Sequence, residues 1–404
     1  MPDTSRVKDI PGGLSAVKGI RAAGVHCGIK PGDLDLALIA TDRPASVVGV
    51  FTSNRVQAAP VLACRRRLRG GWLQAVVVNS GNANACNGRG GLADAEAMAR
   101  EAARATGADP RAVFVASTGV IGRRLPMAKV RRGIRAAAAR LRADGGQDAA
   151  RAIMTTDTVP KEAAASFEFG GARITVGGIG KGAAMICPRM ATMLAFIATD
   201  AAVERAALAR ALRRSVAGSF NRITVDGDTS TNDTVLCFAN GAAGAPPLRG
   251  RGLALFQEAL DRVAGSLARL IVRDAEGATK FVAVTVEGAR TAAEAERAAR
   301  AVAHSPLVKT TLFGQDANWG RIVCALGYAG VALAEAKVAV WIGGVPVVRN
   351  GRGLGAARER RANLRMRERE IPIRIALGLG RGSATIWTTD LSADYVRMNA
   401  DYRS

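Results

Sequence analysis

The chain has 404 residues, of which 49% are hydrophobic and 4% aromatic, with 46 glycines and a formal net charge of +23. This is enough chain for two domains or one large α/β body. No uncharged apolar run of about 18 residues occurs, which excludes a membrane-spanning helix. The opening MPDTSRVKDIPGG has no apolar segment of the kind a secretory signal needs, so a cytoplasmic protein is expected. Cys27, Cys64, Cys86, Cys187, Cys237 and Cys324 form no CxxC pair and no metal-ligand spacing. They read as reduced, mostly buried thiols in a cytosolic protein, and a zinc site is not expected.

The charge raises the question of a nucleic-acid partner. The arginines, however, are spread along the chain. Of the two dense clusters, Arg65-Arg66-Arg67-Leu68-Arg69 is short, and RERRANLRMRERE (358–370) alternates in sign like a solvated helix face. Neither interleaves aromatics on which bases could stack. A general Arg- and Ala-rich bias accounts for the charge, and nucleic acid is not expected as a partner.

In chain order, residues 14–30 are rich in Gly and Ala and lead into two predicted strands, DLALIATD (35–42) and VVGVFT (47–52). AVVVNSGNANACNG (75–88) is an apolar strand running into an Asn/Gly loop, which either offers amides and N–H groups to a polar ligand or simply turns the chain. A helix is predicted over 93–106, a strand ending in Ser117-Thr118-Gly119 over 113–122, and a basic helix over 127–143. MTTDTVPK (154–161) is a polar turn, and SFEFGGARITVGGIGKG (166–182) alternates about Gly170-Gly171 as a hairpin. The glycines before Lys181 are not a phosphate loop: Thr175 stands where a glycine is needed, and Gly182 where Ser or Thr is needed.

Asp200 can cap a helix running to about Ala217. SFNRITVDGDTSTNDTVLCFAN (219–240) reads as strand, polar loop and strand. The loop is not a calcium site, since Thr231 and Cys237 occupy the positions that require Gly and Glu. An amphipathic helix over 252–272 is followed by the turn DAEGATK (274–280) and the strand FVAVTV (281–286). A helix is expected over 291–304. LVKTTLFGQDANWGRI (307–322) reads as strand, Gly loop and helix start. VAVWIGGVPVV (338–348) and IPIRIALGLGRGSATIWTTDL (371–391) each read as a hairpin, and the sequence closes in YVRMNADYRS. Hairpins mixed with helices, without a repeating βαβ period, favour an α+β layered body.

The stretch KGAAMICPRMATMLAFIATDA (181–201) is organised around Met190-Ala191-Thr192-Met193-Leu194. A small residue precedes a threonine, a strand-like run follows it, and a Gly-rich turn with one lysine precedes it. A threonine hydroxyl needs a nearby base to act as a nucleophile. Cleavage between Ala191 and Thr192 would give Thr192 an α-amine with a pKa near ~8, so that nucleophile and base belong to one residue. The chain has only His26 and His304 to offer otherwise. Taken alone, the same five residues also fit an ordinary strand threonine.

With KGAAMICPRMATMLAF, VASTGVIG, NRITVDGDTSTNDT, DAEGATKF, LFGQDANWGRI and YVRMNADYRS in order, the sequence resembles the ornithine acetyltransferases, or glutamate N-acetyltransferases, of arginine biosynthesis. The resemblance runs from about Gly19 to Ser404. It implies a layered α/β sandwich shared with self-processing aminopeptidases. It also implies cleavage before Thr192 into an α chain (1–191) and a β chain (192–404) that form one intertwined catalytic unit and assemble as a heterotetramer of two each.

The resemblance further implies that Thr192 is the nucleophile of self-cleavage and acetyl transfer, and that Thr118 and Gly119 form the oxyanion hole. Thr158, Lys181, Thr192, Glu276, Asn399 and Ser404 match substrate-contacting positions. Each has an ordinary alternative: a solvated turn lysine at 181, a turn cap at Glu276, a frayed terminus at Asn399 and Ser404. The implied reaction moves acetyl from N2-acetyl-L-ornithine to L-glutamate through an acetyl-Thr192 ester, without cofactor or metal, and leaves acetyl-CoA open as a second donor. The sequence departs from the usual pattern at Ala183, Ala184 and Arg189, before the nucleophile, and at Gln315, where an acidic residue is common. Rival readings are a self-processing aminopeptidase of the same fold, a basic nucleic-acid-binding protein, and a family member that has lost its activity.

Overall fold

The structure, a computed structural model, describes residues 6–187 and 193–401. The chain divides into two compact units. The first comprises the described residues up to Asn221 together with Asp228–Ile271, and the second comprises Arg222–Gly227 with the described residues from Val272 onward. The expected division between residues 191 and 192 falls within the first unit, and both residues lie outside the described ones.

The first unit is built on a nine-stranded sheet. Its elements in chain order are β1 (Lys8–Ile10), β2 (Ile20–Val25), β3 (Leu36–Phe51), α1 (Ala59–Arg67), β4 (Trp72–Asn82), α2 (Gly88–Thr106), β5 (Val113–Val120), α3 (Met127–Ala139), α4 (Gly146–Ala152), β6 (Lys161–Phe169), β7 (Ala172–Lys181), β8 (Leu194–Thr199), α5 (Arg205–Gly218), β9 (Thr234–Ala239) and α6 (Arg251–Arg273). The strand order is β1-β6-β7-β8-β9-β3-β4-β5, with β2 also paired to β3. Two pairs are parallel, β4 with β5 and β8 with β9, each joined by a connection carrying a helix, as parallel neighbours require.

The two segments read as separate strands, 35–42 and 47–52, are one strand, β3. Its pairing with β4 is irregular between Ala40 and Ala45. The polar TDRP at its centre is the bulge, not a loop, because the strand continues onto β9 from Ser46 to Phe51. Leu36, Leu38 and Ile39 of β3, Val76 and Val78 of β4, Phe114 of β5, Met98 of α2 and Ile134 of α3 share one buried core. Each such side chain contributes about 1.5–3 kcal/mol on burial. The faces of β7 meet different elements: a Cβ on Gly177 would strike the Gly13 carbonyl, whereas Gly180 faces Leu267 of α6.

The second unit holds a six-stranded sheet of β10 (Phe281–Ala289), β11 (Ala339–Ile342), β12 (Val345–Arg349), β13 (Arg352–Gly353), β14 (Glu370–Ala376) and β15 (Gly382–Thr389), in the order β13-β12-β11-β14-β10-β15. Its helices are α7 (Ala292–His304), α8 (Pro306–Phe313), α9 (Trp319–Gly327), α10 (Ala356–Arg365) and α11 (Ala393–Asp401). Both sheets carry helices, giving the α+β sandwich class expected.

Four local expectations change. Residues 371–391 do not form a hairpin: β10 lies between β14, which it pairs in parallel, and β15, which it pairs antiparallel. Val284 of β10 stands opposite Ile373 on one side and Ile386 on the other, so this apolar strand lies between the two segments. Residues 307–313 are helical, because the Ser305 hydroxyl accepts the Val308 N–H and Pro306 sits at the first helical position; this start outweighs the β-branched side chains that follow. Asp200 caps no helix. It instead accepts backbone N–H groups of Thr175 and Lys18, and α5 starts only at Arg205. Residues 220–222 form a short 3-10 turn in place of a strand.

Candidate active site

The strand-end turn at Thr118-Gly119 is built by the β4–β5 pair, in which Ser80 stands opposite Thr118 and Gly81 opposite Gly119. Gly119 has φ of 127°, and a Cβ there would come 2.4 Å from the carbonyl carbon of Gly81 and 2.5 Å from the nitrogen of Asn82. Only glycine fits so close to another backbone. Thr118 is 4% exposed. The turn is braced by amides: Ser117 Oγ donates to Asn79 Oδ1 at 2.6 Å, Asn79 Nδ2 to the Asn82 carbonyl at 2.8 Å, and Asn82 Nδ2 to the carbonyls of Arg123 and Arg124. The Asn/Gly loop is therefore a structural brace beside the Thr118 turn.

Lys181 ends β7 and is almost fully buried. Its Nζ donates to Thr155 Oγ1 at 2.6 Å and lies 3.5 Å from Asp157 Oδ2. Asp157 in turn accepts Lys161 Nζ and the Gly182 N–H on Oδ1, each at 2.7 Å, and the Thr155 N–H on Oδ2 at 3.1 Å. Burial opposes charge on Asp157. The Lys181 and Lys161 ammonium groups and the Gly182 N–H outweigh it and hold the carboxyl well below the usual range. Lys30 approaches from the other side: its stem crosses Gly81 and its Nζ donates to the Met154 carbonyl at 3.0 Å. Burial pulls its ammonium below the ordinary lysine value. The turn 154–158 thus holds a carboxylate outnumbered by lysines, an environment that favours a bound anion. Thr158 lies on this turn, exposed, next to Asp157.

Thr192 and Ala191, the expected nucleophile and its neighbour, lie outside the described residues, as does Arg189. The chain on their far side is fixed: the Met193 N–H donates to Asp233 Oδ1 at 3.1 Å, and Leu194 pairs with Lys181. The preceding residue of Asp233 reaches the Thr118 turn, since Asn232 Nδ2 donates to the Ser117 carbonyl at 2.8 Å and to the Ala83 carbonyl at 2.6 Å. One dipeptide, Asn232-Asp233, therefore connects the residue before Thr118 with the residue after Thr192. Ala184 does not suffer from replacing a glycine, because the left-handed position in this turn is Met185, with φ of 56°. Ala183 is packed at 1% exposure.

In the second unit Glu276 is 8% exposed and its Oε2 accepts Asn399 Nδ2 at 2.8 Å. Gly277 makes the turn possible: φ is 62°, and a Cβ would meet the Tyr395 nitrogen at 2.4 Å. The Ser392 hydroxyl donates to the Gly277 carbonyl, so α11 is tied to the turn that carries Glu276. Ser404 lies outside the described residues. Gln315 stands after α8 with φ of 57°.

Asp35, Lys30, Asp157, Lys161, Asn232 and Asp233 were not singled out from sequence. Asp35 is fully buried and accepts the backbone N–H groups of Cys27, Gly28, Ile29 and Lys30, which fixes the loop that presents Lys30. Asp157 was visible only as the polar centre of MTTDTVPK, and Asn232-Asp233 as part of a long polar loop. Burial pushes the Cys27, Cys64 and Cys237 thiols up to about 12, and no disulfide occurs among the described residues, with Cys86 and Cys324 exposed. Among the described residues no group of acidic, His or Cys side chains is arranged to hold a metal, and no helix is long and apolar enough to cross a membrane.

The glycine-enforced turn at Gly119 and the buried Lys181, Asp157 and Lys161 cluster both belong to the first unit. The sequence matches the ArgJ family over residues 21–404. The arginine biosynthesis bifunctional protein ArgJ of Symbiobacterium thermophilum is 51% identical over 400 residues, covering 98% of this chain and 99% of that protein. That of Geobacter sulfurreducens is 52% identical over 391 residues, covering 96% and 100%. A solved chain of ornithine acetyltransferase complexed with ornithine, from Mycobacterium tuberculosis, is 44% identical, covers 45% of this chain and 98% of its own, and superposes with a TM-score of 0.43. The chain belongs to the ArgJ family.

Proposed function

We propose that this acetyltransferase of arginine biosynthesis moves the acetyl group of N2-acetyl-L-ornithine to L-glutamate through an ester on Thr192. The observation that carries the reading is the Asn232-Asp233 bridge between the Thr118 turn and Met193, set within a family match that spans the chain. Thr192, freed by cleavage after Ala191, attacks the acetyl carbonyl. The Thr118 hydroxyl and Gly119 N–H stabilise the oxyanion, one such donor being worth roughly 3 kcal/mol of barrier. Ornithine leaves, and the glutamate α-amine takes the acetyl group. Lys181 binds a substrate carboxylate with Thr158 beside it, while Glu276, held by Asn399, is assigned to a substrate ammonium group, and Ser404 to a further substrate contact. The cycle as written consumes no cofactor.

The α and β chains would assemble two of each and work in the cytoplasm, and acetyl-CoA would serve as a second donor to glutamate, in keeping with the bifunctional relatives. The test is twofold. Intact mass under denaturing conditions should show two chains, the second beginning with Thr192. Mixing the protein with acetylornithine and labelled glutamate should give labelled N-acetylglutamate, and acetylornithine alone should leave one acetyl group on the second chain. A single acetyl-free chain with no transfer would reject the reading.

A further inference from the structure

Lys30 connects two turns of the first unit. It leaves the loop that Asp35 fixes by accepting four backbone N–H groups, that of Lys30 among them at 3.0 Å. Its stem then runs over Gly81, where a Cβ would lie 2.9 Å from Lys30 Cγ. Gly81 stands opposite Gly119, and a Cβ on Gly119 would come 2.7 Å from the Gly81 Cα. One glycine therefore separates the Lys30 stem from the Thr118-Gly119 turn. The stem ends at the Met154 carbonyl, which accepts Nζ at 3.0 Å. The hydroxyl of the next residue, Thr155, accepts Lys181 Nζ at 2.6 Å. Two ammonium groups are thus seated on adjacent residues.

Their surroundings differ from those of the third lysine. Lys161 is fully buried and paired with Asp157 at 2.7 Å. Each oxygen of Asp157 already meets two donors: Oδ1 also accepts the Gly182 N–H, and Oδ2 accepts the Thr155 N–H and faces Lys181 at 3.5 Å. Lys30 is half-buried, and among the described residues no carboxylate lies within ion-pairing distance of it. Asp33, Asp35 and Asp157 act on it only from further away. An ammonium carries three donors, and Lys30 spends one on a neutral carbonyl. A partly desolvated ammonium with donors to spare suits a carboxylate.

The two substrates of the proposed transfer differ in charge at one place. Both carry an α-carboxylate. The side chain of acetylornithine ends in an ammonium, and that of glutamate in a second carboxylate. A single lysine can hold the carboxylate they share but cannot tell them apart. We propose that Lys30 selects the acceptor, binding the side-chain carboxylate of glutamate while Lys181 binds the α-carboxylate common to both substrates. The inference rests on the acetyl transfer proposed above. The same ammonium repels the ornithine side chain, so the selection acts by charge in both directions. Glutamine, similar in shape but uncharged at that end, forgoes the charge-assisted contact.

The experiment measures KM and kcat/KM for glutamate and glutamine as acceptors and KM for acetylornithine as donor. Wild type, Lys30→Met and Lys30→Arg are compared, with thermal melting alongside. In Lys30→Met the KM for glutamate should rise by about 10–100-fold, as for one lost hydrogen bond to a charge. The preference for glutamate over glutamine should shrink by a similar factor, and the KM for acetylornithine should not rise. Lys30→Arg, which keeps the charge, should keep most of the preference; an arginine as unselective as methionine would show that charge does not select. A merely structural lysine would raise both substrates' KM together and leave the glutamate-to-glutamine ratio as in wild type, which overturns the proposal. If Lys30→Met melts far below wild type, Lys30→Gln, uncharged but still a donor, is judged by the same ratio. Wild-type protein that transfers no acetyl to glutamate rejects the function and this inference with it. Wild-type transfer with an unchanged ratio in the uncharged variant rejects Lys30 alone.

Discussion

At the residue scale, the chemistry proposed here depends on a few side chains whose surroundings make them different from their ordinary selves. Thr118 is buried at a strand end, and the proposed reaction assigns its hydroxyl to the developing oxyanion. Thr118→Val preserves shape and removes the donor, so kcat should fall by about 10²–10³-fold with the melting temperature nearly unchanged. A fall in substrate affinity alone would move Thr118 out of the oxyanion hole. Lys181→Met should act differently. It removes one ammonium but leaves Asp157 paired with Lys161 at 2.7 Å, so the protein should fold and KM should rise by an order of magnitude or more, as expected for a lost charge-assisted contact. Unchanged kinetics would take Lys181 out of the site. The residues most easily recognised in the sequence were those with a motif around them. Asp157 and Asp233 carry no such mark, because their roles arise from burial and from partners far along the chain.

At the element scale, strand ends and turns set the geometry. The β4–β5 pair forces Gly119 against Gly81, and Gly119→Ala places a methyl group on backbone that cannot retreat. Stability should drop by at least about 2 kcal/mol, combining positive-φ strain with overpacking, and chemical denaturation would show it. A neutral effect would contradict the close approach. The loop before β3 depends on Asp35: Asp35→Ala strands four half-buried N–H groups, so a loss on the order of 2–3 kcal/mol is expected, together with weakened substrate binding as Lys30 is released. Helices and most strands were legible in the sequence because their periodicity is local. The 371–391 segment was not, since nothing local tells a hairpin from two strands flanking a third. The same is true of 307–313, where a capping serine and a proline decided against the β-branched residues after them.

At the scale of the whole molecule, the expected cut would run through a continuous sheet. β7 precedes the site and β8 follows it, yet the two are hydrogen-bonded neighbours from Val176–Thr199 to Lys181–Leu194. The cut chains should therefore co-elute in gel filtration without denaturant and separate only on unfolding; separation in native buffer would contradict the shared sheet. Acid stability carries a sign that can be worked out. Asp157 has a folded pKa below its unfolded value near 3.8, so its contribution is present above that value and is lost as pH falls through the folded one. Asp233, raised in the fold, does the opposite: its contribution is full below 3.8 and fades as pH rises toward its folded value. Asp157→Asn should flatten the loss of stability below about pH 4 and cost roughly 3–5 kcal/mol near neutrality, because the buried Lys161 loses its counter-charge. Urea unfolding at pH 3 and pH 7 would measure both.

The sequence by itself determined the family and the α+β class, and marked Thr192 and the strand-end Thr118-Gly119 as candidates, because each rests on residue identity read over short windows. Only the tertiary structure decided that Asp35 builds the Lys30 loop, that Asp157 gathers Lys161 and Lys181, and that Asn232-Asp233 joins two distant strand ends. Those roles depend on which backbone groups and charges are sealed from water together, and burial is a property of the folded chain that no local window contains.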